Sequence, residues 1–243
     1  MKHLDQTDGF RKFKIKLRQF IGKEPKMIKD IDLKTECWNG WDLVSSLMTE
    51  GDIMYSFGVC DDIGFDLTAC KKGVKVFAFD PTPYSVDWIA KQKLPPSSQF
   101  QFFPWAVAEN DGNYFLYPRI MKKGKKSSVM YTFHQQGDVQ NEGVKVRALT
   151  PGSMAKELGH ESIDIIKMDI EGAEYEVIDS LLASNLRPKM LLIEFHHRFK
   201  GVGKEKTIAS IHSLREAGYL LVSVSLTNTE FCFINKNNVP DGQ

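Results

Sequence analysis

From Gly51 onward the chain alternates short apolar runs with helix-patterned segments, and this alternation constrains the fold more than any other feature. Ile163–Asp169 and Met190–Phe195 are nearly continuous apolar runs, as expected of strands covered on both faces. Ile53–Val59, Lys75–Asp80 and Phe100–Ala108, the last broken by Pro104, read as further strands. Phe65–Lys72, stopped by Gly73, and Ser85–Lys93, with Ser85 as N-cap, read as helices between them. Thr150 caps another helix, with Pro151 at its first position and Gly159 at its end. Tyr175–Ser184 and Lys204–Ala217 supply two more, and Tyr219–Ser225 with Glu230–Asn235 forms a closing hairpin. Gly112–Tyr117 and Val144–Leu149 look like extra strands flanking a polar loop, Pro118 to Gly143. The pattern predicts an α/β, Rossmann-like domain: a mostly parallel sheet with helices on both faces and a C-terminal antiparallel hairpin.

The expected division is a basic extension over residues 1–50, packed on a main domain over 51–243. Arg11 to Lys29 contains eight Lys or Arg and one acid, Glu24, whereas the whole chain carries a net charge of only +1. That balance gives no general pull towards nucleic acid. No apolar stretch approaches the ~20 residues that span a bilayer, and the first residues lack a signal-peptide core. None of the four cysteines forms a CxxC pair, so neither a zinc site nor a redox motif is indicated. A cytoplasmic protein is the expectation. Trp38, Trp41 and Leu43 are candidates to cover the sheet or a partner subunit in a homo-oligomer.

In open α/β sheets, ligands bind beyond the carboxyl ends of the strands. The first strand ends in Phe57-Gly58-Val59-Cys60-Asp61-Asp62, with Asp66 near the following helix start. Glycine permits a tight turn and close approach to a ligand. Three carboxylates there would repel the phosphates of NAD or ATP and suit the ammonium and sulfonium of S-adenosylmethionine. Asp80-Pro81 ends the second strand, about 20 residues on, where a carboxylate can accept the hydroxyls of a ribose. Trp105-Ala106-Val107 is placed to line an adenine slot. Asp169 and Glu171 end the fourth strand, where a transferred group would meet its acceptor. Glu194 and His196 share a face of the fifth, a pairing suited to general-base work. His197 faces the other way.

Ile163-Asp164-Ile165-Ile166-Lys167-Met168-Asp169-Ile170-Glu171-Gly172-Ala173-Glu174 closely resembles the signature of the FkbM-type methyltransferases. Leu192-Ile193-Glu194-Phe195-His196, Tyr55–Val59 with Asp62 and Phe65-Asp66, Phe79–Pro83 with Trp88, and Ala106-Val107 with Asp111-Gly112 and Phe115 extend the resemblance from about Trp38 to Asn235. It implies a class I methyltransferase fold with a seven-stranded sheet, S-adenosylmethionine as donor, and O-methylation of a sugar or small natural product. Carried over by position, Phe57, Gly58, Val59, Asp62, Asp66, Asp80, Pro81, Ala106, Val107 and Asp169 would bind the donor. Asp169, Glu171, Glu194 and His196 would stand at the reaction centre. Many relatives carry glycine where Cys60 stands, and a side chain there would crowd the donor loop.

No ligand spacing demands a metal, although Asp169, Glu194 and His196 are chemically able to hold a divalent ion. Lys122, Lys123, Lys125 and Lys126 in the Pro118–Gly143 loop suit closure over an anionic acceptor. Two rival functions share the fold: a nucleotide-binding oxidoreductase, which the acidic turn disfavours, and a binding module without turnover.

Overall fold

A computed structural model describes residues 8–120, 124–133 and 143–239. The main sheet has seven strands: β3 (Ile53–Phe57), β4 (Lys75–Phe79), β5 (Phe100–Phe103), β10 (Ile165–Met168), β11 (Met190–Glu194), β12 (Tyr219–Val224) and β13 (Glu230–Asn235). Their order is β12-β13-β11-β10-β3-β4-β5. The sheet is mixed: β5, β4, β3, β10 and β11 pair in parallel, while β13 runs antiparallel to both β11 and β12. The central strands are buried along their length, which explains their unbroken apolar sequences.

Helices α2 (Gly64–Lys71), α3 (Pro83–Ile89), α4 (Pro151–Leu158), α5 (Glu174–Ala183) and α6 (Lys204–Glu216) link the strands. The cap of α4 follows the sequence logic: Thr150 Oγ1 accepts the Ser153 N–H at 3.0 Å, Pro151 opens the helix and Gly159 closes it in the left-handed conformation. Helix α3 begins earlier than expected, because Thr82-Pro83 repeats the same device. Thr82 caps the helix, and Ser85 is the buried donor to it rather than the cap.

The region read as a polar loop is different in the structure. β7 (Gly112–Ile120) runs past Tyr117, and β8 (Lys126–Thr132) pairs with it antiparallel. With β6 (Ala106–Val107) and β9 (Val144–Leu149) they make a second sheet in the order β6-β9-β7-β8. Edge pairing, not a helix on either side, organises this stretch, so the main-sheet signals that mark βαβ units were missing there. Lys122 and Lys123 lie outside the described residues, and Lys125 and Lys126 are exposed.

Helix α1 (Asp8–Phe20) buries none of its residues, and Phe13, Leu17 and Phe20 are exposed. The chain then joins the main body. Asp30 accepts the Leu221 N–H at 2.8 Å, and Leu33 is buried. Strands β1 (Glu36–Trp38) and β2 (Trp41–Leu43) form a small hairpin whose Trp38, Trp41 and Leu43 sit in the core with Phe65. Among the described residues no helix is long and apolar enough to cross a membrane.

Candidate functional site

The chain fills one side of the main sheet with β4 and β5 and the other with β10 and β11, so the topological switch lies between β3 and β10. A crevice is expected there, and a cavity of about 320 Å³ occupies it. Its walls are the turns after β3 (58–62), β4 (80–82) and β10 (169–171), with Trp105, Ala106 and Val107. Leu116, Tyr131 and Phe133 enter from the second sheet.

Gly58 explains why the two central turns can meet. Its φ is +85°, and a Cβ there would lie 1.8 Å from the Asp169 carbonyl oxygen. The Asp169 N–H in turn donates to the Phe57 carbonyl at 2.9 Å. Phe57 thus acts through its backbone; its side chain is fully buried against Phe79 and does not line the cavity, contrary to its assignment as a donor contact. Asp66 does not line the cavity either. The first turn of α2 faces the sheet, so Asp66 is 1% exposed. Burial pushes its carboxyl up while the nearby Lys167 pulls it down.

Asp61, Asp62, Asp80, Pro81, Ala106 and Val107 all line the cavity. The buried Asp80 carboxylate is heavily engaged: Oδ2 accepts the N–H groups of Val59 and Cys60, both at 2.9 Å. Oδ1 accepts the Thr82 N–H at 2.9 Å and its hydroxyl at 2.6 Å. Asp80 therefore clamps two turns together, a role its position alone did not disclose. Asp62 accepts the Gly64 N–H at 2.7 Å, and Asp61 accepts the Tyr84 hydroxyl at 3.0 Å.

Cys60 has φ +49°, in the left-handed region where glycine is the unstrained residue. Cys60→Gly is expected to raise stability by up to about 1 kcal/mol, because relief of strain slightly exceeds the added chain entropy. The urea midpoint checks this, and a lower midpoint would show that the thiol's contacts outweigh the strain.

The second half of the site gathers at the ends of β10 and β11. His196 is 8% exposed, with Nδ1 3.3 Å from Glu174 Oε1, the oxygen that also accepts the His196 N–H at 2.7 Å. Nε2 faces Asp169 Oδ1 at 3.6 Å and Glu171 Oε2 at 3.9 Å. Burial works against the imidazolium, but Glu174, Asp169 and Glu171 outweigh it and hold His196 up at about 9. Burial, then the Asp169 carboxylate, pushes Glu194 up to about 8. Burial also raises Glu171, which is held by Arg119 Nη1 at 2.8 Å and has a left-handed φ of +52°. Asp169 and Glu171 line the cavity, whereas His196 and Glu194 stand behind them.

The family model described as the methyltransferase FkbM domain matches residues 52–221, most of the chain. The chain belongs to the FkbM methyltransferases. This FkbM protein is 26% identical over 151 residues to human "Probable methyltransferase-like protein 24", covering 61% of this chain and 33% of that one. The rat protein of the same name is 25% identical over 162 residues, covering 65% and 37%. The chain thus spans about a third of the length of these curated relatives. Among solved structures, a fibrillarin pre-rRNA processing protein of Methanococcus jannaschii aligns with a TM-score of 0.45 at 12% identity, covering 78% of this chain and 68% of that one.

The sequence of this FkbM protein did not disclose three contributors to the site: Glu174, Arg119 and Tyr131. Glu174 looked like a helix-dipole residue, yet it is fully buried and holds both His196 and the Gly172 N–H. Its spacing from Glu171 was the available signal. Arg119 and Tyr131 lie in the segment read as a polar loop, at the end of β7 and in β8. His197 lies outside this cavity and pairs with Glu24 at 2.6 Å.

Proposed function

We propose that this FkbM methyltransferase moves a methyl group from S-adenosylmethionine to a hydroxyl of a small-molecule or carbohydrate acceptor. The observation that carries this reading is one cavity lined both by the acidic turn at Asp61 and Asp62 and by the half-exposed carboxylate of Asp169. The donor set suits the donor's chemistry: carboxylates for its cationic end, and Trp105, Ala106 and Val107 for an apolar ring. The cavity's volume lies at the lower end of the ~300–1,000 Å³ usual for ligand pockets.

When bound, the donor supplies a methyl group on a positively charged sulfur. The protein's part is alignment and proton removal. Asp169 takes the acceptor's hydroxyl proton, because it is the accessible carboxylate at the junction of the two halves. Glu194 and His196 act behind it: burial and the Asp169 carboxylate keep Glu194 a neutral neighbour, and Glu174 fixes His196 as a positioning group. Asp80 keeps Val59, Cys60 and Thr82 around the sugar end of the donor. A ribose diol that reaches its carboxylate must replace the Thr82 hydroxyl.

Calorimetric titration with S-adenosylmethionine, S-adenosylhomocysteine and NADH tests the reading. The first two are expected to bind with micromolar affinity and NADH not at all. Radiolabelled methyl transfer to hydroxyl acceptors, compared with amines, then tests the oxygen preference. Uptake of NADH in place of either sulfur compound would replace this reading with an oxidoreductase.

A further inference from the structure

We propose that Asp169, Glu171 and His196 form a binding site for one divalent cation, which presents a vicinal pair of acceptor oxygens to the methyl donor. One ligand atom from each of the three residues lies within 4.8 Å of the other two. Two carboxylate oxygens and one imidazole nitrogen suit a first-row ion such as Mn²⁺. The separations of 3.6 and 3.9 Å from Nε2 are too long for hydrogen bonds. They fall between the roughly 3 Å and 4.2 Å that separate neighbouring and opposite ligands around an ion with bonds of about 2.1 Å.

The independent observation is the state of His196 itself. The ring is buried, and Nδ1 and the backbone N–H both point at the fully buried Glu174. Among the described residues that leaves Nε2 without a hydrogen bond and aimed between two carboxylates. A carboxylate behind a histidine, fixing its tautomer and turning the other nitrogen outward, is the usual support of a metal-ligating imidazole. Among the described residues, three carboxylates converge here with the guanidinium of Arg119. Arg119 approaches Glu171 Oε2 while stacked 3.4 Å from the Phe199 ring centroid, and a carboxylate oxygen retains a second lone pair for the ion.

Three protein ligands leave further positions open, and Asp169 and Glu171 turn them towards the cavity. Acceptors with adjacent oxygens, such as sugar diols or 2-hydroxy acids, are the class that fits. A hydroxyl bound to the ion becomes more acidic. Its proton passes to the non-ligating oxygen of Asp169. The new carbon–oxygen bond then forms as the carbon–sulfur bond breaks, and sulfur keeps the electron pair. The ion's location does not depend on the methyl-transfer reading; only its use does.

The test is titration of chelator-treated protein with Mn²⁺, followed by electron paramagnetic resonance. One bound ion per chain is expected, with electron spin-echo modulation from a directly ligated imidazole nitrogen. Binding should weaken about 10- to 100-fold in Glu174→Gln, which leaves the three ligands intact. It should weaken at least tenfold in His196→Ala and Glu171→Gln. A urea denaturation curve for each variant reports that the fold is retained. Absence of nitrogen modulation in the wild-type protein overturns the site without requiring any variant to fold, and equal Mn²⁺ affinity in all variants overturns it as well. If Mn²⁺ binds here but S-adenosylmethionine does not, the metal site stands and the methyl-transfer reading falls. If the donor binds and Mn²⁺ does not, the reverse holds.

Discussion

Asp169→Asn is expected to lower turnover by about 100- to 10,000-fold, the usual worth of a positioned general base. S-adenosylmethionine affinity should stay within a few-fold of wild type. The side chain is 38% exposed, and the contacts that close the turn are made by the Asp169 backbone, which the substitution leaves in place. Stability should hold or rise, because the change removes one charge from a cluster that also contains the Glu171 and Glu174 carboxylates. A residue with a structural role alone would give the opposite pattern, lost stability with turnover per folded molecule intact. Single-turnover kinetics with saturating donor, beside a urea denaturation curve, separates the two. Turnover within threefold of wild type would remove Asp169 from the chemistry.

Glu24→Ala is expected to cost about 3–5 kcal/mol, the cost of stripping one partner from a buried ionic network. The Glu24 carboxylate is fully buried between Arg18 at 2.7 Å, His197 at 2.6 Å and Arg198 at 2.8 Å. Asn228 donates to it as well, at 3.2 Å. Removing it leaves two guanidinium groups and a buried imidazole facing one another. Burial alone would raise this carboxyl, but Arg198, His197, Arg18 and Asn228 outweigh it and lower it from 4.5 to about 2. The folded state therefore releases this proton more readily than the unfolded chain. The resulting stabilisation is complete above about pH 4.5 and is lost as pH falls towards 2. Glu24→Gln should accordingly flatten the acid limb between those values. Denaturant midpoints at pH 7, 5 and 3 check both statements. A loss below 1 kcal/mol at pH 7 would mean that residues near Glu24 are peripheral to the folded unit.

The parts of the site legible in the sequence are those specified by local chemistry. Gly58, Asp80 and Asp169 each stand directly after an apolar strand, and strand ends at a switch point meet whatever the helices do. Thr150-Pro151 and Gly159 declare a helix through capping alone. The signals failed where orientation depended on distant packing. Asp66 is close in sequence to Asp62, yet the phase of α2 against the sheet buries Asp66, while Asp62 stays exposed in the turn before the helix. Ser85 resembles a cap in the sequence, although Thr82-Pro83 carries the stronger signature. The Lys-rich segment looked like a loop because its strands are stabilised by edge pairing with β7 rather than by an apolar run of their own.

The residues alone determined the alternation of strands and helices, the family signature around Asp169 and the acidic character of the turn after the first strand. Periodicity and turn chemistry act over a few residues, so a linear reading reaches them. Only the tertiary structure decided that Glu174 grips His196, that Glu24 pairs with a histidine 173 residues away, and that β8 walls the cavity. These contacts are made by side chains that burial brings together. Their partners are chosen by the register of the sheet and the packing of helices upon it, which no short stretch of sequence encodes.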